Sequence, residues 1–364
     1  MPSLRSLRRV TASILLAALT AAPAAPAPTA AAQGIAPPPG ATRYTALAPQ
    51  RLAETLASDG AFGLTRPAPN TIRIQVAGRT AVPANATAAV LNITSVNGAA
   101  PGFVTVHPTQ TPRPTASNLN TTAGAVIANM ATVKLGVDGS VDIYSNVAMD
   151  FVVDISGIYQ PTNTTVTDGR LETRPAGPHR VIDTRDRGYP MSPGSIQPVD
   201  VTAAGVPTGA SAVVVNITAI NGNVGFWVAY PAGQQRPATS TVNLDRNGQI
   251  RAGQAIVQLP GGVRTFNVYS QSGGHLAVDV AGWFTGTAAT SSIDGLLTPS
   301  TPQRAPDTRT SCAMAPWNGS VFEVNTLNPV ANVAAVAMNL TGTEPWAEGF
   351  VTGYPAGVAR PVAS

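Results

Sequence analysis

The stretch AAVLNITSVNGAAPGFVTVHP, from Ala88 to Pro108, decides how this chain is read, because it returns twice. It reappears as AVVVNITAINGNVGFWVAYP from Ala212 to Pro231 and as AAVAMNLTGTEPWAEGFVTGYP from Ala334 to Pro355. The shared asparagines Asn92, Asn216 and Asn339 are spaced by 124 and 123 residues. Three occurrences at a near-constant interval make a repeat, and the repeat sets the organisation of everything around it. Within the stretch, two β-branched runs flank a break rich in Asn, Gly and Pro, which is the pattern of two short strands.

Other landmarks keep the same step. Arg113-Pro114-Thr115-Ala116-Ser117 matches Arg236-Pro237-Ala238-Thr239-Ser240 and Arg360-Pro361-Val362-Ala363-Ser364. Asp183-Thr184-Arg185 matches Asp307-Thr308-Arg309, while the first copy has Glu54-Thr55-Leu56. The ends FVVDISGIY and LAVDVAGWF also correspond. TIRIQVA, NMATVKL, SVDIYS and TFNVYS read as further strands, and Val137-Asp138-Gly139-Ser140 between two of them reads as a hairpin turn. No stretch beyond the first 22 residues keeps a helical period. The expected fold is all-β: tandem β-sandwich repeats, jelly-roll or Ig-like, of about seven to nine strands each. Expected boundaries are 43–162 and 169–288, with an incomplete third copy over 292–364. Ser364 aligns with Ser240, so the third copy is expected to lack the counterpart of about 44 residues in the repeat register. Residues from about Ser292 onward are therefore expected to be partly ordered or to dimerise by borrowing strands. The lone Cys312 either stays free or has a partner in the lost portion.

The N-terminus carries Arg5, Arg8 and Arg9, then the apolar run VTASILLAALTAA, then small residues and prolines. That order is the pattern of a secretory signal over 1–32, followed by an Ala/Pro-rich linker over 33–42. The run is shorter than a spanning helix, so no transmembrane segment is expected after signal removal, and the expected location is extracellular or the cell surface. The chain has 22 Lys and Arg against 18 Asp and Glu. Without the three signal arginines the balance is nearly neutral, and no basic run remains to contact phosphates, which excludes a nucleic-acid partner.

The combination of D-T-R, L-N-I-T, R-P-T-A-S-N-L-N and D-V-x-G-x-F resembles a repeat domain of secreted and surface proteins of high-GC Gram-positive bacteria. The resemblance spans about Arg43 to Ser364. It implies an extracellular module that often accompanies others and that has no assigned chemistry. The missing D-T-R of the first copy and the absent ending of the third depart from the pattern.

Candidate chemistry is sparse. His107, His179 and His275 fall at unrelated places in their repeats, and no nucleophile, base and orienting acid share a copy, so no catalytic residue is assigned. Asp183 and Asp279 are conceivable paired carboxylates, but Asp183 with Arg185, and Asp307 with Arg309, more simply form structural latches, with ligand contact as the alternative. Asn92, Asn216 and Asn339 read as structural amides that pin a loop. Asp138-Gly139 and Asn247-Gly248 are turn chemistry, and neither a metal site nor a cofactor is expected. The ligand-binding candidates are aromatic: Trp227, Tyr230 and Trp283, either stacking on a saccharide or packing in the core. A non-catalytic structural or binding protein follows, with cell-wall or extracellular polysaccharide, or protein, as partner. The alternative is a set of carbohydrate-binding accessory domains of an extracellular hydrolase or cell-wall enzyme.

Overall fold

A computed structural model describes residues 36–56, 62–79, 81–310, 319–324, 333–344, 346–347 and 349–363. The expected signal segment, most of the linker and Cys312 lie outside the described residues. The first repeat contributes β1 (Thr42–Glu54), β2 (Thr65–Ala68), β3 (Thr71–Gln75), β4 (Ala88–Val96), β5 (Gly102–Pro108), β6 (Leu119–Thr121), β7 (Ile127–Lys134), β8 (Ser140–Ser145) and β9 (Asp150–Pro161). The second contributes β10 (Leu171–Thr173), β11 (His179–Asp183), β12 (Ile196–Asp200), β13 (Ala212–Gly222), β14 (Gly225–Pro231), β15 (Val242–Leu244), β16 (Gln249–Gln258), β17 (Thr265–Ser270) and β18 (His275–Phe284). The architecture is all-β, with two short 3-10 turns and no α-helix among the described residues.

Each repeat is a pair of antiparallel sheets. The inner sheets run β1-β9-β4-β7 and β10-β18-β13-β16, with β11 also on β18. The outer sheets run β2-β3-β8-β5-β6 and β12-β17-β14-β15. Leu91, Ile93, Val153 and Ile155 of one inner sheet face Ile74, Val104, Val106 and Ile143 of its outer sheet in a single buried cluster. The second repeat builds the equivalent core from Val213, Val215, Ile217, Trp227, Phe266, Val268 and Val278. Asp138-Gly139 does form a tight turn, with Gly139 at φ 75° and its N–H donating to the Gly136 carbonyl at 2.9 Å. The turn is not a hairpin, however: β7 pairs with β4 in the inner sheet, whereas β8 pairs with β3 and β5 in the outer one. A turn motif specifies a local reversal, and the neighbours of its arms are chosen by the core.

The continuous apolar run at the start of β4 has a second cause. Side chains alternate along a strand, so Ala89, Leu91 and Ile93 enter the first repeat's own core, while Ala88 and Val90 point the other way. That other face is also buried: Ala88, Val90, Tyr44 and Tyr159 pack against Ala212, Ile256 and Phe284 of the second repeat. The Tyr44 and Phe284 rings lie 4.1 Å apart. Inner sheets covered on both faces read as unbroken hydrophobic runs rather than as alternation.

The repeats meet in cyclic order. The Tyr44 N–H donates to the Gly169 carbonyl (2.9 Å), the Leu171 N–H to Gly295 (2.8 Å), and the Leu297 N–H back to Thr42 (3.0 Å). Gly169 and Gly295 are both at positive φ, and a Cβ on either would collide with the carbonyl oxygen of Tyr44 or Leu171. Glycine is required where two backbones approach this closely. Past Leu297, no strand forms among the described residues, and the stretch around Asn339 that aligns with β4 and β13 is exposed. Those two strands each sit between two neighbours in their own sheet, and residues 334–341 have no such flanking strands among the described residues.

Candidate binding surface

Two of the three recurrent asparagines, Asn92 and Asn339, hydrogen-bond a loop, and that loop belongs to another repeat. Asn92 has the parity of Ala88 and Val90 on β4 and therefore faces away from its own core. Its Nδ2 donates to the Ser240 carbonyl at 2.6 Å. Asn339 makes the corresponding bond to the Ser117 carbonyl of the first repeat at 2.8 Å, and its Oδ1 accepts from Asn129. Arginines follow the same order: Arg51 donates to Ala238 and Arg304 to Thr115, at 3.1 and 3.0 Å. In the second repeat, Gly177 lies within about van der Waals reach of Pro355 and Pro361 of the third, 3.5 and 3.6 Å from a Cβ placed there. The Arg-Pro-x-x-Ser loop is thus the element that each repeat offers to another.

The D-T-R motif divides its labour in an unexpected way. Asp183 accepts from Arg185 Nε at 2.9 Å and Nη2 at 2.6 Å, and Asp307 from Arg309 at 3.0 and 2.8 Å, so both latches exist as local forks. The arginine beside it holds the Asp183 carboxyl below the usual range, and Asp307 is held at about 2 by the same contact. The long-range tie is made by the threonine between them. Thr184 accepts from the Leu276 N–H at 2.9 Å and donates its own N–H to the Leu276 carbonyl. Thr55, whose flanking residues are not Asp and Arg, ties to Phe151 identically.

Of the two readings of the aromatic candidates, saccharide stacking or core packing, Trp227 follows the second. Trp227 is 0% exposed in the core of the second repeat, and Tyr230 is 2% exposed. Trp283 is half-buried, packs against the same core and donates from Nε1 to Glu172 at 3.1 Å. Trp227 and Tyr230 are therefore closed to a ligand. For Trp227 strand alternation supplies the reason: it replaces Val104 at an inward position, and the preceding residue points outward, whereas Tyr230 shares that residue's face and is buried there.

That preceding residue belongs to a feature the sequence reading missed. Phe226 lies 6.0 Å from Tyr269 across β14 and β17, and the Arg236 guanidinium sits 4.2 Å above the Tyr269 ring and 6.0 Å from Phe226. The first repeat repeats it: Phe103 and Tyr144 are 6.1 Å apart, with Arg113 at 3.8 Å over Tyr144. All four rings are partly exposed on the outer sheets, and both arginines are exposed. These distances suit cation–π stacking. Neither guanidinium is in an ion pair among the described residues. The signal was present as Gly-Phe before Val104 and Trp227, Tyr-Ser ending two strands, and the arginine of each Arg-Pro.

The histidines do not converge. His107 is buried with Nδ1 at 3.0 Å from the Pro108 carbonyl, whereas His275 Nδ1 is 3.1 Å from Thr184 Oγ1. Among the described residues, no cluster of three His, Cys, Asp or Glu side chains is suited to a metal ion, and no helix is long and apolar enough to cross a membrane.

No family model matches this sequence, and no curated protein does. Among solved structures, the chain is similar to the N-terminal CBM22-1-CBM22-2 tandem domain of Paenibacillus barcinonensis Xyn10C, at 11% identity. The match covers 71% of this chain and 99% of that one with a TM-score of 0.16. A superposition that poor carries no argument about function.

Proposed function

We propose that this is a secreted or cell-surface, non-catalytic binding protein whose repeats present saccharide-contacting platforms on their outer sheets. The observation that carries the reading is the recurrence of Phe103–Tyr144–Arg113 as Phe226–Tyr269–Arg236. Partly exposed aromatic rings on a rigid sheet offer an apolar face to the C–H face of a sugar and a polar edge to its hydroxyls. Two copies on one chain raise avidity towards a polymer, which presents many equivalent units. The motif set supports membership among repeat domains of secreted and surface proteins of high-GC Gram-positive bacteria, and the N-terminal Arg-rich and apolar order supports export.

The test is a pull-down of the full chain on insoluble cell-wall and plant polysaccharides, beside a Tyr144→Ala/Tyr269→Ala double variant. The wild type is expected to sediment with at least one polymer, and the double variant to bind roughly tenfold more weakly, the ~1.4 kcal/mol expected of a lost stacking contact. Its melting temperature should stay close to that of the wild type, since both tyrosines are partly exposed. Binding that survives intact in the double variant would remove the platforms from the site.

A further inference from the structure

The seam between the first two repeats opens beside one platform into a cleft of about 430 Å³. Arg51, Val126 and Val152 of the first repeat form one side, and Phe226, Arg236 and Asn243 of the second form the other. This volume lies within the ordinary range of small-ligand sites, which bury a ligand between apolar walls and a few placed polar groups. The charge of the lining is one-sided: two arginines contribute to it and no Asp or Glu does. Arg51 is already committed, with Nε on Asp154 at 2.7 Å and Nη2 on the Ala238 carbonyl. Arg236 is not; its guanidinium rests on Tyr269 and has no acidic partner among the described residues. A guanidinium whose carbon lies 4.2 Å from a ring centroid keeps its N–H donors for a planar carboxylate, while the Phe226 ring alongside supplies an apolar contact.

We infer that this cleft is a subsite for an acidic saccharide, a sugar unit bearing a carboxylate that pairs with Arg236 while its ring packs on Phe226 against the first repeat's wall. The inference rests on the platform reading and deepens it by naming the charge of the ligand. Because the walls come from two repeats, the subsite exists only while the seam is closed.

Affinity of the full chain for soluble polygalacturonate is the test, with the fully methyl-esterified polymer as a probe of identical backbone and no charge. The expected results are at least tenfold tighter binding to the acid form and loss of that preference in Arg236→Gln. Binding should also weaken as salt rises from 50 to 500 mM, as screening of an exposed charge pair requires, the Debye length shrinking about threefold over that range. Val126→Trp, which fills the cleft from the opposite wall without touching the platform, should reduce binding to the acid form, with melting temperature recorded as a control on folding. Equal binding of the two polymers, or a preference that persists in Arg236→Gln, would overturn the subsite while leaving the platform reading intact. Absence of binding to both polymers also overturns it, and the pull-down on other polysaccharides then decides the platform reading separately.

Discussion

The two complete repeats place an arginine and two acids at the same points of their inner sheets, Arg51, Asp154 and Glu54 against Arg180, Asp279 and Asp183, and connect them differently. In the second, Arg180 grips Asp279 with two parallel bonds, Nε to Oδ1 at 2.8 Å and Nη2 to Oδ2 at 3.0 Å, and uses Nη1 for Asp183. In the first, Arg51 reaches Asp154 through Nε alone; Nη1 goes to Glu54 and Nη2 crosses to Ala238 of the other repeat. The buried Asp154 Oδ2 makes no hydrogen bond of good geometry, and burial raises its carboxyl to about 6 despite the nearby guanidinium and the Ser240 backbone. A guanidinium has a fixed number of donors, so a contact made across the seam is withdrawn from the carboxylate behind it. The first repeat therefore gains a tie to its neighbour at the cost of an incompletely satisfied acid.

The largest effect should come from the residue by which the two cores differ most. Trp227→Ala removes a fully buried side chain where the first repeat has Val104, and should destabilise the second repeat by about 3–5 kcal/mol. Denaturant unfolding followed by near-UV signals should show that repeat lost first, and a midpoint unchanged from wild type would contradict the packing described. The polar clusters break the comparison next. Arg180→Ala removes two guanidinium bonds from the buried Asp279 and one from Asp183, which keeps its fork with Arg185, and should cost about 3–5 kcal/mol. Arg51→Ala should cost less, because Asp154 can take up a proton instead; equal losses in the two variants at pH 5 would show that the clusters behave alike.

Proton linkage sharpens the contrast with the smallest expected change. The folded carboxyl of Asp154 titrates above its unfolded value of about 3.9, so its contribution is fully present below pH 4 and is lost as pH rises through about 6. The protein should thus lose roughly 2 kcal/mol between pH 4 and pH 6.5 from this group. Asp183 runs the opposite way: its carboxyl is lowered, so its contribution is present above the unfolded value and falls only at more acidic pH. Melting temperatures across pH 3–7 for the wild type and Asp154→Asn check this. The variant should lack the fall above pH 4 and keep the acid limb; identical profiles would refute the assignment.

Much of the fold is legible from local pattern. Thr71–Gln75, Ser140–Ser145 and Thr265–Ser270 are strands where β-branched runs placed them, and each complete repeat has nine strands against an expectation of seven to nine. The Asp183–Arg185 fork was legible because its partners are two residues apart. The binding candidates were less so. Trp227 stood out because valine takes its place in the other copies at Val104 and Val351, whereas the period of a strand puts adjacent residues on opposite faces, and which face is outward depends on the sheet that packs beneath.

The sequence by itself determined the repeat, its strands and the Asp183–Arg185 and Asp307–Arg309 forks, because these depend on residue type and on contacts within a few positions. Only the tertiary structure decided which loop an asparagine pins, which ring of a Phe-Trp pair meets solvent, and that Arg51 divides its donors between two repeats. Asn92 and Ser240 are 148 residues apart and their contact depends on how two folded units meet. A side chain's local preference names the bond it is able to make, and the packing of whole sheets selects the partner within reach.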